Sequence, residues 1–183
     1  MNPKLNKKYS VLFSSTCRYY IITGGRGSGK SFATTVFLTL LTMSKGVRVL
    51  FTRYTMVSAH LSIIPEFLEK IGLLGYDSIF SINKAEVVNT STKSDILFRG
   101  IKTSSGNQTA SLKSLQGISC WILDEAEELV DENIFDTIDL SIRDKSTQNR
   151  IILILNPTTK EHWIYRKFFE SRGIEAGFNG TKD

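Results

Sequence analysis

The sequence predicts an α/β fold, in which a mainly parallel sheet is flanked by helices and carries a small antiparallel insertion. Two strand-like runs, residues 47–52 (VRVLFT) and 150–155 (RIILIL), are almost continuously apolar. Strands of this kind are covered by helices on both sides, and here they alternate with helical stretches. Short segments of alternating polarity in the middle of the chain are typical of antiparallel strands instead.

The chain has the size and composition of one globular domain. Its 183 residues are 41% hydrophobic, which is enough to bury a core around a central sheet. We expect the domain core to span about residues 19–171, followed by a polar tail or linker over residues 173–183. The formal net charge of +5 gives a modest preference for an acidic polymer as partner.

The two cysteines, Cys17 and Cys120, are far apart and show no spacing typical of metal ligands. A disulfide framework or zinc site is therefore not supported, and a reducing cytoplasm suits the chain best. The sequence contains no run approaching the roughly 20 apolar residues needed to span a bilayer. We accordingly expect no membrane insertion.

The first elements are a strand, a glycine-rich loop and a helix. Residues 19–23 (YYIIT) are β-prone, and a helical stretch follows from residue 30 to about residue 43. Gly46 is a natural stop for this helix. Residues 47–52 then form the second predicted strand.

The middle of the chain changes from a helical to an alternating pattern. Residues 58–71 carry apolar side chains at three- and four-residue steps, which predicts a helix with an irregularity at Pro65. The short alternating segments that follow predict an antiparallel insertion and then a polar loop. The three segments are residues 78–83, 85–90 and 95–99, and the loop is residues 104–109.

The last third returns to strands that alternate with helices. Residues 120–123 and 150–155 are predicted as buried strands, with a helix over residues 131–143 between them. A final helix is predicted from residue 161 to about residue 171. Its aromatic residues are spaced to pack against the sheet rather than to stack bases, and they are Trp163, Phe168 and Phe169.

The segment GGRGSGKS, between the first strand and the first helix, matches the full phosphate-loop pattern G-x-x-x-x-G-K-S. Glycines allow successive backbone N–H groups to face the phosphates, and the positive end of the helix favours the same anion. We expect Lys30 to reach the β- and γ-phosphates and the Ser31 hydroxyl to bind Mg²⁺. The predicted nucleotide-binding set is Gly24, Gly25, Arg26, Gly27, Ser28, Gly29, Lys30, Ser31, Phe32 and Asn156.

A second motif, CWILDE, places two carboxylates at the carboxyl end of the strand at residues 120–123. Ligands bind at that edge of a parallel sheet. Asp124 is predicted to hold Mg²⁺, directly or through water, and Glu125 to polarise the water that attacks the γ-phosphate. Glu127 and Glu128 are interpreted as a negatively charged helix start that the helix dipole stabilises.

The strand at residues 150–155 ends in Asn156 and Pro157, beside the predicted nucleotide edge. An amide there can bind the γ-phosphate or the attacking water and report hydrolysis to the next helix. The alternative is that these two residues simply form a turn.

Several basic residues allow two interpretations each. Arg26 is either an arginine finger acting in cis on the nucleotide or a solvated side chain. Arg53 follows the second strand and could face nucleotide or DNA. Lys113 and Arg143 are candidates for contact with a neighbouring subunit's nucleotide, although surface roles suit both better. The two histidines, His60 and His162, have no partner spacing for a metal or a catalytic triad.

The combined motifs resemble the ATPase domain of the large terminase subunit of tailed bacteriophages. The segments that carry the resemblance are GGRGSGKS, RYTMVSAH, ILFRG, SLKSLQG, WILDEAEEL and ILILNPTTKEHWIYRKFF, from about Tyr19 to Phe169. The arginine inside the phosphate loop, the LKS-x-x-G segment and the NP-x-x-x-x-HW segment are the most specific of these. The phosphate loop and the acidic strand are shared by many ATPases.

This resemblance implies a RecA-like P-loop NTPase of the additional-strand (ASCE) type, in which Asn156 belongs to the motif that couples hydrolysis to DNA movement. It implies ATP and Mg²⁺ as cofactors, double-stranded DNA, the portal and the small terminase subunit as partners, and a ring of subunits at the procapsid portal in the host cytoplasm. The isolated domain is expected to be monomeric. The family's RNase H-like nuclease would follow this segment, so we expect an ATPase fragment without nuclease activity.

Three other functions remain open from the sequence alone. A helicase or another RecA-like DNA-dependent ATPase would show further helicase motifs after the NP segment. A small-molecule P-loop kinase would seldom need a glutamate such as Glu125 to activate water. A non-catalytic nucleotide-dependent scaffold would turn over ATP equally well after Glu125→Ala.

Overall fold

The computed structural model describes residues 5–14, 16–56, 61, 63–83, 85–103, 106–107, 109–178 and 180. Its strands are β1 (Tyr19–Thr23), β2 (Arg48–Thr55), β3 (Phe80–Asn83), β4 (Glu86–Asn89), β5 (Asp95–Thr103), β6 (Gly106–Asn107), β7 (Cys120–Asp124) and β8 (Arg150–Leu155). Its helices are α1 (Val11–Ser14), α2 (Lys30–Leu41), α3 (Ile63–Leu73), α4 (Thr109–Lys113), α5 (Glu132–Asp139) and α6 (Trp163–Phe168). Short 3-10 turns cover Lys7–Ser10, Asp77–Ile79, Ala126–Glu128 and Glu170–Arg172.

The strands form one sheet in the order β1-β8-β7-β2-β5-β4-β3, with β6 paired to β5. The first five strands of this order run parallel, and β4 and β3 add to them antiparallel. Strand β8 lies between β1 and β7, with Ile152 opposite both Tyr20 and Ile122. The predicted mainly parallel α/β fold of the RecA-like, additional-strand type is confirmed.

Strand β5 corrects the predicted extent of the antiparallel insertion. The segment at residues 95–99 was expected to belong to the insertion, but β5 continues to Thr103 and runs parallel to β2 along its length. Ile96, Leu97 and Phe98 are all buried, so this strand suits the interior of a doubly covered sheet. On the edge away from β2, β5 pairs with β4 and β6, and both of these pairings are antiparallel.

The helices are mostly shorter than predicted. Helix α5 ends at Asp139 rather than residue 143, and it begins after Asp131, whose carboxylate accepts the N–H of Asn133 at 2.9 Å. Helix α3 starts at Ile63, and part of the predicted stretch before it lies outside the described residues. Pro65 lies in the first turn of α3, where its missing N–H has no helical partner to lose.

The loop predicted at residues 104–109 also lies partly outside the described residues. Within it, Gly106 and Asn107 form β6, and Thr109 begins α4. Cys17 is exposed and Cys120 is buried, and neither is part of a disulfide.

The sheet is covered by apolar layers on both faces. Helices α2 and α3 cover one face, where Phe37 and Phe67 contribute to a cluster with the strands. Helices α4, α5 and α6 cover the other face, where Phe135 packs between Trp121 and Trp163. The predicted packing of the last helix is confirmed, since Trp163 and Phe168 are buried and Phe169 packs against the same cluster. Among the described residues, no helix is long and apolar enough to cross a membrane.

Candidate nucleotide-binding site

A cleft of about 420 Å³ opens at the carboxyl ends of β1, β7 and β8. The predicted phosphate loop, the acidic pair and the amide after β8 meet there because parallel strands end at the same edge of the sheet. Three adjacent strands thus supply one site. The lining residues are Gly25, Arg26, Gly27, Ser28, Gly29, Lys30, Ser31, Phe32, Arg53, Glu66, Lys70, Asp124, Glu125, Glu127, Ile154, Leu155 and Asn156.

The phosphate loop depends on glycine at two positions. Gly27 and Gly29 have φ angles of +74° and +84°, a region that other residues rarely adopt. Gly29 is also the N-terminal cap of α2, and its carbonyl accepts the Ala33 N–H at 2.9 Å. The loop therefore turns directly into the helix, whose first N–H groups and positive dipole end lie beside the cleft.

The Lys30 ammonium lies inside the curve of this loop. It donates to the carbonyl oxygens of Gly24 and Gly25, the latter at 3.1 Å. It also approaches the Ser28 hydroxyl at 3.5 Å and donates to Asn156 Oδ1 at 3.3 Å. Lys30 is thus the point at which the phosphate loop and the end of β8 make contact.

Tyr9 supports the loop from outside the cleft. Its buried side chain donates from the hydroxyl to the Ser28 carbonyl at 2.8 Å. A β-carbon added to Gly29 would lie 3.8 Å from the Tyr9 ring. Sequence reasoning missed this residue, because nothing in the local pattern connects the N-terminal segment to the loop.

Asp124 forms an ion pair with Arg53 at the carboxyl ends of β7 and β2. Nε and Nη2 of Arg53 donate to the same carboxylate oxygen at 2.8 and 2.6 Å. The exposed fractions of the two side chains are 9% for Asp124 and 24% for Arg53. The structure therefore places Arg53, whose partner the sequence left open, against the predicted metal ligand.

Glu125 occupies a backbone conformation that is unusual for a glutamate. Its φ and ψ of 53° and 46° are left-handed, which costs about 1–2 kcal/mol in residues other than glycine. Its carboxylate lies 3.6 Å from Arg53 Nε. Partial burial raises the pKa of Glu125 above its ordinary value, although Arg53 opposes the shift. A carboxylate with a raised pKa is suited to accepting a proton.

Asn156 donates from Nδ2 to Glu127 Oε1 at 2.7 Å. Glu127 lines the cleft, whereas the sequence suggested only a negatively charged helix start that the helix dipole stabilises. His162, for which sequence reasoning found no special role, lies 3.2 Å from the Glu127 carbonyl through Nε2. The acidic run concealed Glu127, because a stretch of carboxylates also suits a surface.

The remaining predicted residues are divided between the cleft and the outer surface. Arg26 is exposed at the cleft, and Phe32 also lines it. Lys113 and Arg143 are exposed and do not line the cleft. His60 lies outside the described residues.

Helix α3 adds two residues to the cleft that sequence reasoning did not select. Glu66 and Lys70 form an ion pair one helical turn apart, and both line the cleft. Their four-residue spacing was the only available signal, and it is common on helix surfaces.

Ser31 and Asp124 give the cleft a donor set suited to Mg²⁺. Both residues line it and both present oxygen, the ligand that Mg²⁺ prefers. The described residues contain no group of three or more His, Cys, Asp or Glu placed to hold a metal. Nucleotide-associated Mg²⁺ uses only one or two carboxylates together with substrate phosphates, so the pair of residues fits that arrangement.

The sheet order and the glycine-rich loop at the cleft together define the RecA-like, additional-strand fold class. A sequence model of one protein family, the phage terminase large subunit, matches residues 16–180 of the chain. The chain belongs to this family. A relative, the PBSX phage terminase large subunit of Bacillus subtilis (strain 168), is 26% identical over 154 residues. The matched region is 82% of this chain and 34% of that relative.

Solved structures with the same fold include phage packaging proteins. The large terminase of a thermophilic bacteriophage aligns with a TM-score of 0.70 and 11% identity, over 91% of this chain and 42% of that one. The large terminase ATPase domain of Thermus phage P74-26 aligns with a TM-score of 0.66 and 18% sequence identity, and the alignment covers 90% of this chain and 69% of that one. The N-terminal domain of the bacteriophage phi29 DNA packaging ATPase aligns with a TM-score of 0.65 and 15% identity, and the alignment covers 90% of this chain and 84% of that one.

Proposed function

We propose that this chain is the ATPase motor domain of a terminase large subunit, which hydrolyses ATP with Mg²⁺ to drive double-stranded DNA into a procapsid. One observation carries the proposal: the phosphate loop, the Asp124–Glu125 pair and Asn156 line a single cleft at the ends of three adjacent strands. The family membership supplies the biological setting.

Nucleotide binding uses the phosphate loop and Lys30. Backbone N–H groups at the start of α2 face the phosphates, and Lys30 exchanges the carbonyls of Gly24 and Gly25 for β- and γ-phosphate oxygens. Ser31 and Asp124 would hold Mg²⁺, and the bound ion would supply positive charge that neutralises these phosphates. Asp124 would then share its carboxylate between the ion and Arg53.

Hydrolysis uses Glu125 as the base. Its carboxylate accepts a proton as the water oxygen bonds to the γ-phosphorus, and the bond from that phosphorus to the bridging oxygen breaks to release ADP. Arg26 is exposed at the cleft, which supports the proposal that it stabilises the charge that develops on the phosphate.

The partners are proposed from the related proteins. Structures of the large terminase from the thermophilic bacteriophage include complexes with ADP and with ATP-gamma-S. A structure of the phi29 viral genome packaging motor assembly aligns with 98% of this chain at a TM-score of 0.64. We propose a ring of subunits at the procapsid portal, in the host cytoplasm, that acts with the portal and the small terminase subunit.

Two substitutions test the chemistry. Lys30→Ala should abolish ATP binding, measured by titration calorimetry, because it removes the cation that reaches the phosphates. Glu125→Gln should still bind ATP, but its rate of phosphate release should fall by about 100-fold or more, which is the usual contribution of a general base. Lys45→Ala, which removes an exposed lysine beyond the cleft, is the charge-matched control. ATP hydrolysis that survives both Lys30→Ala and Glu125→Gln would disprove the site assignment.

A further inference from the structure

The Asn156 amide lies between a cation and a carboxylate, which together fix the direction in which it points. Lys30 Nζ donates to Oδ1 at 3.3 Å, and Nδ2 donates to Glu127 Oε1 at 2.7 Å. The reversed amide would place its NH₂ group against the ammonium and its oxygen against the carboxylate. Glu127 therefore holds Asn156 with its oxygen towards the phosphate loop.

Glu127 is more constrained than a surface carboxylate. One of its oxygens accepts from Asn156, and the other, Oε2, is buried without a hydrogen-bond partner among the described residues. Burying a carboxylate oxygen in this way is unfavourable. The position therefore costs stability, which indicates that it serves the site rather than the fold.

The backbone next to Glu127 is attached to the start of α6. His162 Nε2 lies 3.2 Å from the Glu127 carbonyl, and Trp163 Nε1 donates to the Leu129 carbonyl at 2.5 Å. His162 Nδ1 accepts the Ile164 N–H at 3.2 Å and so caps the helix. Because Nδ1 is an acceptor, the proton lies on Nε2, which donates to Glu127.

Helix α6 is also joined to α5 by two ion pairs. Lys167 donates to Glu132 at 2.9 Å and to Asp136 at 2.6 Å. Helix α6 therefore contacts the turn after β7 through its first residues and α5 through Lys167.

We propose that Glu127 is a positioning residue that links the phosphate loop, through Asn156 and His162, to helix α6. This rests on the proposed ATPase function. When Lys30 turns to the phosphates, Asn156 loses one hydrogen bond and keeps the other, so its freed Oδ1 can accept from the attacking water. The change at Glu127 reaches α6 through the backbone carbonyls of the same turn.

Steady-state kinetics test the first half of the link. Glu127→Ala should lower kcat by about tenfold or more, the scale of one hydrogen bond to a charged group, and change the Kd for ATP-gamma-S by less than about threefold. Glu127→Gln should restore most of the rate because its amide oxygen still accepts from Asn156. Glu128→Ala and Glu128→Gln are the matched controls, since Glu128 is exposed and carries the same charge.

A double-mutant cycle separates positioning from general charge effects. The losses from Asn156→Ala and Glu127→Ala should be strongly non-additive, because either change removes the same contact. Additive losses, or a Glu127→Ala rate equal to that of Glu128→Ala, would overturn the proposal while the wild-type protein remained an ATPase. Absence of hydrolysis in the wild-type protein would instead remove the proposed function itself.

Hydrogen exchange tests the second half. Binding of ATP-gamma-S should change amide exchange at Ile164 and Tyr165 in the wild-type protein, and Glu127→Ala should abolish that change while still binding the analogue. Unaltered nucleotide-dependent exchange in Glu127→Ala would show that α6 receives no signal through this residue.

Discussion

Arg53 is the counter-charge of Asp124 in the structure, and under the proposed function a bound Mg²⁺ would compete with it. The Asp124 side chain is almost fully buried, and both donors of Arg53 converge on one of its oxygens. Removing one partner of a buried pair leaves an uncompensated charge, which typically costs about 3–5 kcal/mol. Arg53 therefore stabilises the domain when no metal is bound and must be partly displaced when one binds.

Arg53→Ala should destabilise the domain by about 3 kcal/mol when EDTA is present. Added Mg²⁺ should then raise the midpoint of thermal unfolding more in this variant than in the wild-type protein, because the cation replaces the lost positive charge beside Asp124. Thermal melts in EDTA and in MgCl₂ measure both effects.

Arg48 provides the matched control for this prediction. It lies at the other end of β2 and pairs with Asp95, whose side chain is also 9% exposed, but neither residue lines the cleft. Arg48→Ala should therefore lower the stability of the domain, but Mg²⁺ should raise its unfolding midpoint no more than it does in the wild-type protein. An equal response in the Arg48 and Arg53 variants would exclude a metal site at Asp124.

The sequence predicted those site residues that belong to a short motif of characteristic spacing. The phosphate loop and the Asp124–Glu125 pair have fixed spacings, and each follows a strand that is easily recognised. Tyr9 and Glu127 could not be found in this way. Tyr9 reaches the loop across 19 positions of sequence, and the role of Glu127 depends on a side chain 29 positions away.

At the scale of the elements, the sequence predicted which segments are strands better than it predicted how they pair. The burial of β5 on both faces could be read from Ile96, Leu97 and Phe98, but its short length in the prediction made an antiparallel strand more plausible. Pairing order depends on contacts between segments far apart in sequence. The family resemblance implied an additional-strand sheet, but the position of β8 between β1 and β7 was not predicted.

Helix α6 contains a titratable cap that should make its stability depend on pH. Burial lowers the pKa of His162 below its ordinary value of 6.5, and the charge of Arg166 acts in the same direction. Hydrogen bonding to the Glu127 backbone and the Glu127 charge oppose the shift. The neutral ring is the form that caps the helix through Nδ1.

The unfolded chain therefore takes up a proton at His162 at a higher pH than the folded protein does. This contribution to stability is fully present above about pH 6.5 and is lost as the pH falls through the lower folded-state pKa. His162→Asn keeps a side-chain oxygen able to cap the helix but does not titrate. The unfolding midpoint should fall less between pH 7 and pH 5 in His162→Asn than in the wild-type protein, and equal falls would contradict the assignment.

For the whole molecule, the cleft connects elements from almost the full length of the chain. The N-terminal segment supports the loop through Tyr9, while α3, β7 and β8 contribute the opposite walls. A ligand that contacts all of these walls binds only when the sheet and its helices are assembled. Nucleotide binding should therefore stabilise the entire domain rather than the loop alone.

A ligand at 100 times its dissociation constant adds about 2.7 kcal/mol to the free energy of unfolding. For a domain of this size, that corresponds to a rise of roughly 5–10 °C in the unfolding midpoint. ATP-gamma-S with MgCl₂ should produce this rise in the wild-type protein and in Lys45→Ala, whereas Lys30→Ala should show none. A rise that persisted in Lys30→Ala would mean that the nucleotide binds elsewhere, because Lys30 is the cation at the centre of the loop and also contacts Asn156 at the end of β8.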